Sequence, residues 1–176
     1  MVTEKRIKAY FSKEIVYSSS TEALDLYNKS RFGELKDGKI IYSLVEAFLL
    51  LQNKKMNVYD SKNKKINEST FLLKARKEEP NFNTRYAVFK DLRERGYIVK
   101  TALKFGADFR VYERGVKPGE DHAKWIVYPV FEAETLTWYD WAAKNRVAHS
   151  TRKRLLLAIV DAELDVSYWE ANWIKP

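Results

Sequence analysis

Residues 155–160 form the densest apolar run in the chain, and this run places the strongest constraint on the fold. A membrane-spanning helix needs about 20 apolar residues, so a run of this length is far too short to cross a bilayer. It fits instead a β-strand that is apolar on both faces, and such strands occur in sheets covered by helices on both sides. The run therefore predicts a helix-flanked sheet in the second half of the chain.

The sequence around this run predicts the other elements of the same layered structure. An amphipathic helix is expected to end at Gly96. Thr137 and Asp140 have the spacing of a capping box, with Asp in place of the usual Glu, and they predict a helix that runs to about Ser150. Strands rich in β-branched and aromatic residues are predicted at residues 97–103, 109–113, 124–131, 153–160 and 165–174.

The first half of the chain mixes short strands with helices. Residues 5–17 predict one or two strands, and the turn sequence at residues 36–39 predicts a hairpin. A third helix is expected from about Asn67, after a lysine-rich segment that predicts one strand within loops. Two Ser–Glu pairs with capping-box spacing predict the starts of the other helices, and they are Ser19 with Glu22 and Ser43 with Glu46.

Residues 78–81 interrupt the helical pattern, because Pro80 cannot continue a helix. We place a domain boundary here, with an N-terminal α+β domain at residues 1–80 and a C-terminal domain at residues 81–176. The predicted fold is therefore a small mixed α+β domain followed by a nuclease-like α/β domain, in which a mixed β-sheet is flanked by helices.

Charge and composition limit the classes of partner and site. The net charge of +8 and the isoelectric point near 9.4 favour a polyanionic partner such as nucleic acid. The absence of cysteine excludes disulfides and thiolate zinc sites, and two histidines far apart in sequence do not indicate a metal site. The first residues lack the apolar core of a secretory signal. We expect a cytoplasmic protein without membrane contact, bound metal or cofactor.

Tyr112, His122 and Lys153 supply the groups needed to cleave RNA without a metal. A base must remove the 2′ proton, an acid must protonate the departing 5′-oxygen, and a cation must stabilise the charge that builds on phosphorus. Imidazole transfers protons near neutral pH, and a lysine gives a fixed positive charge. A phenol is a weak base unless nearby cations favour the phenolate. The basic residues with that role are Arg110, Arg152, Lys153 and Arg154. Taken singly, each of the three groups also fits an ordinary structural or surface role.

Four stretches of sequence follow the pattern of a known family. In the first half they are Leu-Tyr-Asn-Lys-Ser-x-Phe-Gly at residues 26–33 and Leu-Val-Glu-Ala at residues 44–47. In the second half they are Arg-Tyr-x-Val-Phe-x-Asp-Leu-Arg-x-Arg-Gly-Tyr at residues 85–97 and Lys-Phe-Gly-x-x-Phe-Arg-Val-Tyr at residues 104–112. These stretches resemble the archaeal tRNA-splicing endonuclease family, also called tRNA-intron lyase. Residues 53–65 and 114–121 match the family only weakly.

The resemblance implies an activity and a role for each reactive residue. It makes Tyr112 the general base, His122 the general acid and Lys153 the transition-state cation of a catalytic chain. The implied reaction needs no metal and leaves a 2′,3′-cyclic phosphate and a 5′-hydroxyl. The implied substrate is a precursor tRNA folded as a bulge-helix-bulge. The implied assembly is a homo-oligomer, or a heterotetramer with a second structural subunit.

The resemblance also implies contacts outside the catalytic residues. Arg146 and Trp173 correspond to a pair that grips a bulged base, although Trp169 is close enough in sequence to be the second partner. An acidic loop is implied to dock into a basic groove of another subunit and to steer assembly. The residues of this loop are Asp161, Glu163 and Asp165.

Three other functions remain open from the residues. The chain is alternatively a non-catalytic structural or RNA-binding subunit of the same complex. A metal-dependent DNA nuclease would need clustered carboxylates near a lysine, for which the available set is Asp108, Asp121 and Lys124, with poor spacing. A general basic scaffold for RNA would bind with a steep salt dependence and cut nothing.

Overall fold

The computed structural model describes residues 5–102, 106–119 and 121–174. Contacts between Cα atoms divide the chain into two compact units, Met1–Phe82 and Asn83–Pro176. The division into domains at residues 80 and 81 stays a prediction. Among the described residues, no helix combines the length and the apolar character needed to cross a bilayer.

The first unit is a mixed sheet of six strands with helices packed against it. Its elements are β1 (Ile7–Ser12), β2 (Ile15–Ser18), α1 (Thr21–Ser30), β3 (Glu34–Lys36), β4 (Lys39–Ser43), α2 (Leu44–Gln52), β5 (Met56–Tyr59), β6 (Lys65–Ile66) and α3 (Glu68–Glu78). The strand order is β3-β4-β2-β1-β5-β6, in which β1 and β5 are parallel and the other neighbours are antiparallel. One face is buried, through Ile7, Ala9, Val16, Ile40, Met56 and Val58.

Side-chain caps begin the helices of this unit, as the sequence predicts, with one correction. Ser43 and Glu46 form the predicted capping box of α2. Asn67 caps α3 by accepting a hydrogen bond from a backbone N–H. For α1 the predicted cap Ser19 is wrong by one residue, because the hydroxyl of Ser20 accepts the N–H of Ala23.

Gly33 sits where the chain leaves α1, and its position allows no side chain. Its φ of +73° is in the left-handed region, and a Cβ there would overlap Ile40 Cγ2 and lie 3.0 Å from the Ile41 carbonyl oxygen. Its N–H donates a 2.9 Å hydrogen bond to Glu46 Oε1. The carboxylate that caps α2 therefore also holds this turn.

The second unit is a mixed five-stranded sheet, as predicted from the sequence. Its elements are α4 (Phe82–Glu94), β7 (Ile98–Thr101), β8 (Phe109–Tyr112), β9 (Trp125–Phe131), α5 (Trp138–Ser150), β10 (Arg154–Val160) and β11 (Val166–Ala171). The strand order is β11-β10-β9-β8-β7. The pair β9 and β10 is parallel and is joined by α5, whereas the other neighbouring strands are antiparallel.

Helices cover both faces of this sheet. On one face, the ring of Phe89 in α4 lies 5.9 Å from that of Phe109 in β8, measured between centroids. On the other face, Ala148 and Val147 of α5 pack against a buried cluster that contains Ile126. Strand β10 lies between the two layers with Leu155, Leu157, Ala158 and Val160 buried. The apolar run is thus a strand buried on both faces, and the predicted helix-flanked sheet is confirmed.

Candidate active site

A cleft of about 390 Å³ lies at the C-terminal end of α5, on the face of the sheet that α5 covers. Its volume falls within the range of roughly 300–1,000 Å³ that is usual for small-molecule sites. Its lining residues are Arg110, Tyr112, His122, Ala123, Ile126, Ser150, Thr151 and Lys153. The structure therefore brings the predicted phenol, imidazole and ammonium to one cleft.

Tyr112 is the last residue of β8, and strand alternation directs it to the cleft. Phe109 in the same strand packs against α4, so Arg110 and Tyr112 face the α5 side. Tyr112 is only 5% exposed. Its phenol is thus held by packing while it borders the cleft.

His122 comes from the loop that leads into β9. The residue is exposed, and its backbone N–H donates a 2.6 Å hydrogen bond to Asp121 Oδ1. The following residue, Ala123, is buried. The N–H of Lys124, two residues after His122, donates to the carbonyl of Val111. The imidazole therefore lies beside an anchored end of the loop, next to β8.

Lys153 is placed by the tight turn that ends α5. Arg152 has φ of +54°, in the left-handed region. Its N–H donates to the His149 carbonyl at 3.0 Å, and the N–H of Lys153 donates to the Ala148 carbonyl at 2.9 Å. These two bonds are those of a Schellman motif. The N–H of Arg154 donates to the Lys124 carbonyl, which fixes Lys153 near the His122 loop.

The cations around the cleft favour an anionic ligand. The C-terminal end of a helix has a partial negative charge, which alone would repel phosphate. Arg110 and Lys153 line the cleft, and their positive charges oppose that field. Arg154 is partly neutralised, because its Nη1 lies 3.0 Å from Glu170 Oε1. A hydrogen bond from Trp125 lowers the pKa of Glu170, with further lowering by Asn172 and Arg154.

A second cleft adjoins the first and shares Lys153 with it. It is lined by residues from α5, β10 and the segment after β11, including Asn145, His149, Lys153 and Trp173. The ring centroids of His149 and Trp173 are 5.4 Å apart. Arg146 is exposed on α5 one helical turn before His149, so it lies on the same side of the helix.

Two models of one protein family match the chain. The model of the tRNA intron endonuclease catalytic C-terminal domain matches residues 82–168, and that of the tRNA intron endonuclease N-terminal domain matches residues 7–72. The chain belongs to the tRNA intron endonuclease family. The resemblance inferred from the four sequence stretches is therefore confirmed.

Members of this family that carry the name tRNA-splicing endonuclease match most or nearly all of the chain. The protein of Pyrococcus abyssi is 43% identical over 173 residues, which cover 98% of this chain and 99% of its own. That of Thermococcus kodakarensis is 43% identical over 167 residues, covering 94% and 97%. That of Nanoarchaeum equitans is 46% identical over 139 residues, covering 76% and 88%.

The region matched to the family's catalytic domain includes Tyr112, His122, Lys153 and Arg146. Trp173 lies beyond it, in the segment after β11. Two residues of the family-like stretch at 104–112, Lys104 and Phe105, lie outside the described residues.

The two candidate tryptophans differ in their surroundings. Trp173 is 69% exposed and contacts His149 of α5, the helix that carries Arg146. Trp169 is 64% exposed and lies in β11 opposite Leu157 of β10. Sequence reasoning missed His149, because a histidine at the end of a helix has no local signal that connects it to Trp173.

The acidic loop closes the hairpin between β10 and β11. The N–H of Asp165 donates to Asp161 Oδ1 at 2.9 Å, and the N–H of Asp161 donates to the Asp165 carbonyl at 3.1 Å. Glu163 and Leu164 are exposed between them. The Asp161 carboxylate is thus used within the turn, whereas those of Glu163 and Asp165 face solvent.

The carboxylates considered for a metal site have separate local partners. Asp108 lies 2.8 Å from Arg85 Nε. Burial raises the pKa of Asp108, and the charge of Arg85 offsets part of that effect. Lys124 pairs with Glu113, and Asp121 accepts the N–H of His122. In the part of the chain that the structure describes, no three histidine, aspartate or glutamate side chains are grouped as metal ligands.

Proposed function

We propose that this chain is an endoribonuclease that removes introns from precursor tRNA. The observation that supports this most is the meeting of Tyr112, His122 and Lys153 in one cleft, in a member of the tRNA intron endonuclease family. The relatives are named tRNA-splicing endonucleases, which supports the choice of substrate. The proposed reaction is a transesterification within the RNA and uses no metal.

The proposed roles account for every proton and bond in that reaction. Tyr112 takes the 2′-hydroxyl proton, and the 2′-oxygen forms a bond to the adjacent phosphorus. His122 gives a proton to the 5′-oxygen as the bond from phosphorus to that oxygen breaks. Lys153 stabilises the additional negative charge of the transition state. The products are a 2′,3′-cyclic phosphate and a 5′-hydroxyl.

The exposure of the two proton-transfer groups supports the assignment of Tyr112 as the base and His122 as the acid. The base acts on the 2′-hydroxyl next to the scissile phosphate, and Tyr112 is 5% exposed at the cleft. The acid acts on the strand that departs, and His122 is exposed at the cleft. Arg110 and Lys153 line the same cleft and supply the positive charge that an anionic phosphate needs there.

We further propose that Arg146 and Trp173 grip a base of the substrate. Guanidinium and indole groups both stack on nucleobases. The cleft beside Trp173 shares Lys153 with the catalytic cleft. A base held there would set the position of the scissile phosphate relative to Lys153. This arrangement suits a bulged nucleotide, which is free to leave its own stack.

Cleavage at two bulges requires two active sites at a set distance, so we propose an oligomer. The assembly is either a homo-oligomer or a heterotetramer with a second structural subunit. The exposed carboxylates of Glu163 and Asp165 are proposed to dock on a basic surface of the adjacent subunit. Asp161 has a structural role in the same hairpin, because its carboxylate accepts the N–H of Asp165 and fixes the shape of the loop.

The proposal is tested by cleavage of a minimal bulge-helix-bulge RNA with purified chain in EDTA. His122→Ala should lower the single-turnover rate by about 10²–10⁴-fold with RNA binding retained. The matched control is Lys90→Ala, an exposed residue of α4, which should cleave at the native rate. Mass analysis of the native products should find a cyclic phosphate. An unchanged rate for His122→Ala contradicts the catalytic proposal and favours a structural or RNA-binding subunit.

A further inference from the structure

Three tyrosines form a row across the sheet of the first unit. Tyr10 in β1 is the register partner of Tyr17 in β2 and of Tyr59 in β5. The rings of Tyr10 and Tyr17 are 5.7 Å apart between centroids and 28° from parallel. Those of Tyr10 and Tyr59 are 6.2 Å apart and tilted by 42°. We call these three residues the tyrosine row.

The tyrosine row lies on the open face of the sheet. Strand residues alternate between faces, so Tyr10 points away from the buried Ile7 and Ala9. The helices of this unit pack on the buried face, where Phe71 of α3 meets Phe11 of β1 with centroids 5.2 Å apart. All three tyrosines are partly exposed. The row is therefore accessible from solvent.

Lysines accompany every ring of the row. The Lys8 ammonium lies 5.7 Å from the centroid of Tyr10 and 5.3 Å from that of Tyr59. The Lys39 ammonium lies 5.2 Å from the centroid of Tyr17. By strand alternation and register, Lys36 and Lys65 belong to the same face. Among the described strand residues of this face, the acid that accompanies these lysines is Glu34.

The positive charge on this face exceeds what the sheet needs for its own stability. Lys36 and Lys39 are direct register partners, and like charges placed opposite each other destabilise a sheet. An anionic ligand would relieve that repulsion. Single-stranded nucleic acid sites have this composition, in which aromatic side chains stack on bases and nearby cations contact the phosphates.

We propose that the tyrosine row and its lysines bind single-stranded RNA. In the enzyme they bind unpaired nucleotides of the substrate other than those at the cleavage site. Only the identity of that RNA rests on the proposed function. In the free chain the Lys8 and Lys39 ammonium groups lie over the rings. A base takes the place of each ammonium over the ring, and the lysine turns to the phosphate. Duplex RNA is disfavoured because its bases are already stacked.

Other occupants fit this face less well. A second copy of the chain docked face to face would place the lysines of the two copies against each other. An acidic peptide would satisfy the charges but gives the three rings no planar partner. RNA supplies negative charge and planar groups together.

Binding of a labelled, unstructured oligouridylate to the full chain tests the inference. Tyr10→Ala should raise Kd by about 10-fold, whereas Tyr10→Phe should stay near the native value, because stacking needs the ring and not the hydroxyl. If Tyr10→Ala is poorly folded, Tyr10→Leu keeps an apolar contact but lacks the aromatic face. Lys8→Ala should reduce the slope of log K against log salt by about 0.7. The control Lys77→Ala, on α3, should keep the native slope.

Several outcomes would overturn the inference. The first is an equal Kd for Tyr10→Ala and the native chain. The second is an equal loss of affinity in Tyr10→Ala and Tyr10→Phe. The third is that duplex RNA competes with the labelled oligouridylate as well as single-stranded RNA does. A change in solution mass without a change in Kd would assign the face to a contact between copies. His122→Ala separates this inference from the proposed function. It should slow cleavage of the bulged RNA by about 10²–10⁴-fold and still bind oligouridylate, so that each idea fails in a different assay.

Discussion

The Lys153 ammonium donates a 2.9 Å hydrogen bond to the main-chain carbonyl of Thr151. That carbonyl belongs to the C-cap of α5, where the helix dipole is negative and favours a cation. A phosphate in the cleft is a charged acceptor and forms a stronger hydrogen bond than a carbonyl. We therefore expect the ammonium to bind the carbonyl at the helix end in the free chain and to contact the phosphate when RNA binds.

Lys153→Ala should lower the single-turnover cleavage rate by about 10²–10³-fold, because the transition-state charge loses its cation. The Kd for uncleaved RNA should change much less, since the lysine is only one of several cations near the cleft. Lys153→Arg should recover part of the rate, because it keeps the charge with a different geometry. A loss confined to Kd, with a native rate at saturation, would make Lys153 a binding residue instead.

The left-handed residue before Lys153 offers a test of how the turn positions the ammonium. Arg152→Gly should raise the free energy of unfolding by about 0.5–1 kcal/mol, because glycine adopts positive φ without the steric cost of a Cβ. Arg152→Val should lower it by about 1–2 kcal/mol and also slow cleavage, because a β-branched residue disfavours the turn. Denaturant unfolding gives both energies. Equal stability of the two variants would contradict this account.

Local signals in the sequence predicted most of the fold, because they act within one or two turns of the chain. Thr137 and Asp140 form the expected capping box of α5, with Thr137 Oγ1 2.5 Å from Asp140 Oδ2. The prediction of Ser19 as the cap of α1 was wrong because Ser20 follows it directly. Spacing alone does not distinguish between two neighbouring serines.

The convergence of the site depends on long-range register that local patterns do not contain. Lys124 donates its N–H to Val111 and accepts the N–H of Arg154, which joins the three segments that carry the reactive groups. The cleft also lies at the amino ends of β9 and β10, whereas ligands of open α/β sheets usually bind at the carboxyl ends. The tyrosine row likewise could not be predicted from local patterns, because its members come from three strands paired across the sheet.

Gly33 and Gly38 allow steric overlap to be separated from backbone strain. Both have φ of +73°, but a Cβ at Gly38 meets nothing within 4 Å, whereas one at Gly33 overlaps Ile40. Gly38→Ala should cost about 1 kcal/mol of unfolding free energy. Gly33→Ala should cost about 2–4 kcal/mol, because packing strain adds to the backbone cost. Thermal and denaturant unfolding of the two variants give the comparison, and similar losses would show that Ile40 moves freely.

Trp173 and Trp169 provide a matched pair for the proposed base grip. Trp173→Ala should raise the Kd for bulge-helix-bulge RNA by about 10-fold, because one stacked base is worth roughly 1–3 kcal/mol. Trp169→Ala should change it less than about twofold, because Trp169 lies in β11 and does not share the His149 contact. The reverse pattern would assign the base contact to Trp169. A combined Arg146→Ala and Trp173→Ala variant should show coupling if both contact the same base.

The acidic hairpin separates a structural carboxylate from two proposed docking carboxylates. Asp161→Ala removes the acceptor of the Asp165 N–H, so it should lower the free energy of unfolding by about 1 kcal/mol. A Glu163→Gln and Asp165→Asn double variant should leave that energy nearly unchanged, because both side chains face solvent. If these carboxylates dock on another subunit, the double variant should shift the assembly toward smaller species in sedimentation. The shift should be largest at low salt, where charge attraction between subunits is least screened. An assembly of native size at every salt concentration would mean that the subunits associate through other surfaces.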